Sequence, residues 1–220
     1  MKLLITFFCV FIFFSSCGST ATTPQREDMV ADADPMQIGK ATIFFERMFS
    51  MQLVSREVPL TFDPRSNTIY LQFVYETVTY RQFWDKEARE KFINAQIKYK
   101  ENFESRNLNL SNPKARRVYG SANGKTEWGQ FSFSINARSF PRFDLGYQTK
   151  GNNPYPYFTV MQQEARDVLA NDGRSSLRIT SYFTRDQVTD LAKFFSQEYL
   201  IEFLQTEGIK LYSEQAVDEY

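Results

Sequence analysis

Few residues in this chain could carry out chemistry, because it contains no histidine and only two cysteines, Cys9 and Cys17. Ser-His-Asp and Cys-His nucleophilic schemes are therefore excluded, as are zinc, copper and haem sites built from histidine or cysteine. The sequence also lacks a D-x-D-x-D-G calcium loop and the phosphate motifs G-x-x-x-x-G-K-[ST] and G-x-G-x-x-G. We expect no metal site, no cofactor and no catalysis.

Two carboxylates stand in apolar surroundings. Glu76 falls within a strand-like apolar run, and Asp144 lies between Phe143 and Leu145. Burial would raise the pKa of either carboxyl group and make it a functional candidate. Pairing with Arg81 or Arg142 is the alternative. A carboxylate-based hydrolase is therefore the least favoured function.

Aromatic residues are unusually frequent, with 22 Phe, 12 Tyr and 2 Trp. The stretch 151–158, GNNPYPYF, combines two prolines with Tyr155, Tyr157 and Phe158, and Trp128 precedes a glycine. Rings on a stiff backbone suit sugar stacking or the capture of an extended peptide. The alternative is that they fill the core of a β-rich domain. We take these four residues as the candidate binding site.

The N-terminus has the organisation of an export signal. Met1 and Lys2 form a short positive region, and the uncharged apolar run Leu3–Phe14 follows. As a helix this run would span about 18 Å, too short for a hydrocarbon core of about 30 Å. The small residues Ser15 and Ser16 and then Cys17 come next, as a peptidase site requires.

The stretch Phe14-Ser15-Ser16-Cys17 resembles the lipobox of bacterial lipoproteins, in a relaxed form of the kind tolerated in spirochaetes and some Bacteroidetes. The resemblance implies cleavage before Cys17 and attachment of a diacylglyceryl group to its sulfur, usually with an N-acyl chain such as palmitate. Gly18 follows where an Asp signals inner-membrane retention in enterobacteria, which implies the outer membrane, on its periplasmic or surface face. An ordinary secretory signal cut after Gly18 is the alternative.

The whole chain divides into four segments by composition. We expect a signal peptide over 1–16, a lipidated N-terminus and flexible tether over 17–38, a single domain over 39–212 and a loose acidic tail over 213–220. The charges balance at 26 basic and 26 acidic residues, which argues against nucleic acid or anionic lipid as a partner.

The domain is predicted to be α+β. Residues 63–67 suit a hairpin turn, and Asn123-Gly124 is a second hairpin signal. A helix of about 22 residues should follow a cap at Asp85, and a second should run from a capping box at Thr184 to Gly208. We therefore predict an antiparallel sheet of six to eight strands, folded or sandwich-like and built from hairpins, with two long amphipathic helices.

The sequence is compatible with two non-catalytic functions. The first is a membrane-tethered envelope lipoprotein that binds a protein or peptide partner through aromatic residues or an exposed sheet edge. The alternative is a carrier that holds a small apolar or lipid ligand between sheet and helices. A flat aromatic patch would favour the first function, and a deep pocket the second.

Overall fold

A computed structural model describes residues 28–47, 50, 52–109, 112, 115–130, 135–151, 153–165 and 175–212. Ten strands and three helices are defined within these residues. The strands are β1 (Met36–Glu46), β2 (Leu53–Asp63), β3 (Thr68–Tyr75), β4 (Val78–Trp84), β5 (Arg116–Asn123), β6 (Lys125–Gln130), β7 (Ala137–Ser139), β8 (Arg142–Lys150), β9 (Asn153–Val160) and β10 (Ile179–Tyr182). The helices are α1 (Lys86–Glu104), α2 (Arg185–Phe195) and α3 (Gln197–Thr206).

All ten strands form one antiparallel sheet in the order β5-β8-β9-β10-β1-β2-β3-β4-β6-β7. The sheet is curled into an open half-barrel. The ring of Trp84 on β4 lies 4.6 Å from Phe143 on β8 and 4.9 Å from Phe158 on β9. Since β4 and β9 are five strands apart in the sheet, these rings can meet only across its inner face. The aromatic excess therefore fills a core inside the curl.

The three helices close this core. Phe92 on α1 lies 5.7 Å from Trp84, and Phe195 on α2 lies 5.3 Å from it. Asp85 caps α1 by accepting a hydrogen bond of 2.8 Å from the backbone N–H of Ala88. Helix α1 also packs against β5 and β8. It contacts α2 as well, on the side of its C-terminal half.

The predicted α+β fold with two long helices is wrong. The sheet has ten strands and dominates the domain, and the helices contain 19, 11 and 10 residues. The predicted second helix is broken at Ser196, whose backbone is extended and whose hydroxyl accepts a bond from Tyr199 N–H. Apolar spacing continues on both sides of this break, because both helices bury a face against the same core.

The hairpin predicted at Asn123-Gly124 is also wrong. Asn123 ends β5 and Lys125 begins β6, but β5 pairs with β8 and β6 pairs with β4. Gly124 connects β5, at one edge of the sheet, to β6, the second strand from the other edge, and its N–H donates to the carbonyl of Pro141. A side chain here would lie 2.4 Å from the ring of Phe143, so the glycine serves close packing and not a hairpin turn.

The tether predicted over 17–38 ends earlier than expected. The N–H of Val30 donates to the carbonyl of Pro64, and the N–H of Tyr212 donates to the carbonyl of Val30. Arg65 forms ion pairs with Asp32 and Asp34. Residues from about 30 onward therefore belong to the folded unit. The predicted signal peptide (1–16), Cys17 and the predicted tail (213–220) lie outside the described residues.

Candidate functional site

The aromatic surface predicted from the sequence does not form. Tyr157 and Phe158 are 0% exposed and Trp128 is 4% exposed. Phe158 packs in the core against Trp84. Only Tyr155 is partly exposed, and its ring lies edge-on to Tyr182 at 6.5 Å. The four residues therefore cannot offer a flat surface to a peptide or sugar.

Tyr157 instead belongs to a polar network on the outer face of the sheet, and the ring of Tyr155 packs against Tyr182 beside it. Arg116 donates from Nε to the hydroxyl of Tyr157 at 2.7 Å. The hydroxyl of Tyr182 lies 3.1 Å from Oε2 of Glu46, and burial raises the pKa of Tyr182 above its usual value. This network connects β1, β5, β9 and β10, and we assign it a stabilising role.

The two candidate carboxylates differ in environment. Asp144 is buried and forms ion pairs with Arg142 at 2.9 Å and Arg116 at 3.4 Å. Glu76 is exposed in the β3–β4 turn with a φ of 53°, and not in a strand as predicted. Asp144 is therefore paired with arginine, which is the alternative to a catalytic role that the sequence analysis considered. Across the described part of the chain, no three Cys, Asp or Glu side chains converge as metal ligands.

A large groove lies between α1 and α2. Its volume is about 820 Å³, within the range of about 300–1,000 Å³ typical of small-ligand sites. The C-terminal half of α1, the residues just after it and the N-terminal half of α2 form its walls. The apolar lining residues are Ile97, Tyr99, Phe103, Leu108, Val188 and Ala192.

Gln96 supplies a polar group to this apolar wall. It is only 7% exposed, and neither its side-chain nitrogen nor its side-chain oxygen has a hydrogen-bond partner among the described residues. A buried, unpaired amide costs about 1–3 kcal/mol. The nearby Tyr99 differs, since its hydroxyl donates to the carbonyl of Pro154 at 2.8 Å and burial raises its pKa to about 12. Gln96 thus has unused hydrogen-bonding capacity beside the groove.

The opposite end of the groove is charged. The guanidinium of Arg185 lies 4.2 Å from the ring centroid of Phe103, and Arg106 follows the end of α1. Lys100 lies 3.9 Å from Glu104 on the next turn of α1. The groove therefore combines an apolar wall, one buried amide and a rim of charged groups, which suits an amphiphilic ligand.

Sequence reasoning missed this groove. The apolar spacing of Tyr99 and Phe103 on α1, and of Val188 on α2, is typical of a stripe that faces the core. The one local signal is Ile97, which falls outside that stripe and is 50% exposed. A single exposed apolar residue is common on protein surfaces, so it could not have identified a site.

Within the described residues, no helix combines the length and apolar character needed to cross a membrane. Comparison with curated proteins yields no match, and neither does comparison with solved structures. A protein-family profile, described as an uncharacterised Treponema protein, matches residues 35–202, from the residue before β1 to the middle of α3. That match spans most of the chain, so the chain belongs to this spirochaete family of uncharacterised Treponema proteins.

Proposed function

We propose that this protein is an exported, lipid-anchored, non-catalytic binding protein that holds a small amphiphilic ligand in the α1–α2 groove. The observation that carries the proposal is the groove itself, with its apolar wall and the unpaired amide of Gln96. Ligand sites are mostly apolar with a few placed polar groups, and this groove has that composition.

The other functions considered from the sequence have less support. Binding of a protein partner by an aromatic patch required Tyr157, Phe158 and Trp128 at the surface, and all three are buried. A carboxylate hydrolase required an uncompensated buried carboxylate, whereas Asp144 lies between two arginines. A ligand carrier requires a cavity, and the groove supplies one.

The anchoring part of the proposal rests on the lipobox resemblance at Phe14-Ser15-Ser16-Cys17. Membership of a Treponema family supports it, because the relaxed form of the motif resembles that tolerated in spirochaetes. Two or three acyl chains on Cys17, at about 0.8 kcal/mol per buried CH₂, are enough for stable attachment. The outer membrane, on either face, is the site we propose.

A native mass spectrum of the protein, extracted gently from its own cells, tests ligand binding. We expect a bound species of several hundred daltons that is lost on denaturation. A clean ligand-free mass would contradict the carrier function, and cross-linking to a neighbouring envelope protein would then favour a protein partner.

The anchor has an independent test in the mass of the mature N-terminal peptide. We expect it to begin at Cys17 and to carry acyl chains, and Cys17→Ser should release the protein from the membrane fraction. An N-terminal peptide that begins after Cys17, without acyl chains, would contradict the anchor.

A further inference from the structure

The groove has polar groups at both ends and an apolar wall between them. Gln96 and Phe103 are seven residues apart on α1, which corresponds to about 10 Å along the helix. Arg185 lies over Phe103, so the buried amide and the guanidinium stand near opposite ends of the groove. A complementary ligand needs two polar groups at about this separation.

The Gln96 end requires a partner that both donates and accepts hydrogen bonds. A primary amide has two N–H donors and a carbonyl acceptor, and both its nitrogen and its oxygen are unpaired here. An acyl chain would cover this amide with methylene groups and leave it unpaired. A peptide group offers one N–H and one C=O and can satisfy both atoms.

The Arg185 end favours an anion. The groove is lined by the cations Lys100, Arg106 and Arg185 and by the carboxylates Glu104 and Asp186. Lys100 is near Glu104, so Arg106 and Arg185 face a single remaining acidic lining residue, Asp186. The guanidinium geometry suits a carboxylate, to which it can donate two parallel hydrogen bonds.

We propose that the groove binds a short apolar peptide with a free C-terminal carboxylate. An inner peptide group pairs with Gln96, the apolar side chains contact the wall, and the carboxylate binds Arg185. Three extended residues span about 10 Å, which matches the distance between the two ends. This inference rests on the proposed function and names the chemical class of its ligand.

Calorimetric titration of the full chain with three probes tests the inference. The probes are the tripeptide Leu-Val-Phe with a free carboxylate, the same tripeptide with a C-terminal amide, and decanoate. We expect the free-acid peptide to bind most tightly and the amidated peptide to bind about tenfold more weakly, as the loss of a charge-assisted hydrogen bond predicts. Equal affinity of the two peptides would overturn the assigned role of Arg185.

The probes also separate this inference from the function on which it rests. Binding of decanoate without either peptide would overturn the peptide inference and leave a ligand-binding groove. If no probe binds and the native mass is ligand-free, both the inference and the proposed function fail.

Gln96→Leu provides the matched test at the other end of the groove. It should weaken binding of the free-acid tripeptide about tenfold and leave the affinity for decanoate unchanged. Gln82→Leu is the control, because Gln82 on β4 is also buried, with its amide nitrogen and oxygen also unpaired, but does not line the groove. Equal effects of the two substitutions on peptide binding would overturn the role of Gln96.

Arg185→Gln completes the set. It should weaken binding of the free-acid tripeptide about tenfold and leave the amidated tripeptide unaffected, because only the free acid carries the charge that Arg185 recognises. An equal loss of affinity for both peptides would show that Arg185 supports the groove without binding the carboxylate, and would overturn the assignment.

Discussion

At the scale of single residues, Arg89 shows how the domain stabilises a buried charge. Its side chain is 1% exposed and donates to the backbone and side-chain oxygens of Asn67 and to the side chain of Gln197. Burial lowers the pKa of Arg89 to about 10, so it remains charged at neutral pH. One guanidinium thus joins α1 to the β2–β3 turn and to the start of α3.

Replacing Arg89 should therefore be costly. We expect Arg89→Met to lower the free energy of unfolding by about 3 kcal/mol, because three acceptor atoms lose their donor. Arg89→Lys should recover only part of this loss, since an ammonium cannot reproduce the planar fork of donors. Urea unfolding followed by circular dichroism measures both changes. Wild-type stability of Arg89→Met would refute the account of this residue.

At the scale of elements, the contact between β5 and β8 depends on a glycine. Strand β5 has a register shift between Val118 and Gly120 where it pairs with β8. A Cβ on Gly146 would lie only 2.0 Å from the carbonyl oxygen of Arg117, a backbone atom that cannot rotate away. A Cβ on Gly120, in the opposite strand, would meet nothing within 4 Å. The close approach of the two strands therefore requires a glycine at Gly146, whereas Gly120 has room for a side chain.

This difference predicts that the same substitution has a large effect on stability at Gly146 and a small one at Gly120. Gly146→Ala should destabilise the domain by about 3 kcal/mol or more, because the two strands must separate to admit the methyl group. Gly120→Ala should change stability by no more than about 1 kcal/mol. Thermal unfolding of the two variants compares them directly, and similar melting temperatures would contradict the strand packing described here.

The elements also show which sequence signals are reliable. The turn at 63–67, the caps at Asp85 and Thr184 and the helix end at Gly208 are confirmed, because each depends on residues that are close in sequence. Asn123-Gly124 misled the prediction because the partners of the flanking strands come from distant parts of the chain. The structure of this connection depends on sheet closure, which no local pattern encodes.

At the scale of the whole molecule, buried tyrosines link stability to alkaline pH. Burial raises the pKa of both Tyr99 and Tyr119 from 10.0 to about 12. An unfolded chain therefore releases these protons at lower pH than the folded domain does. The stabilisation is complete below about pH 10 and is lost as the pH rises from 10 to 12.

We accordingly expect the urea midpoint of unfolding to fall steadily above about pH 10. Tyr99→Phe should make that fall shallower, because one linked proton is removed, while its lost hydrogen bond to Pro154 lowers stability at neutral pH by about 1 kcal/mol. A midpoint that stays constant to pH 11.5, or an unchanged slope in Tyr99→Phe, would contradict the burial of these hydroxyl groups.

The candidate site could not be found from the sequence because only the folded chain brings its residues together. The groove forms where α1 meets α2, and residues that face each other across it, such as Phe103 and Arg185, are about eighty positions apart in the chain. The aromatic content did indicate a large apolar interior, but Phe158 and Trp128, which lie in that interior, were assigned to a binding surface. Which rings are buried depends on how the sheet curls.

The most direct test of the central claim, that the α1–α2 groove holds a ligand, is a side-by-side native mass spectrum of three proteins isolated from the same cells. These are the wild type, Ala192→Trp, whose indole should fill the groove, and Thr206→Trp, which places the same side chain at an exposed position of α3 outside it. We predict a bound species on the wild type and on Thr206→Trp, and none on Ala192→Trp. A bound species retained by Ala192→Trp, or absent from the wild type, would contradict the claim.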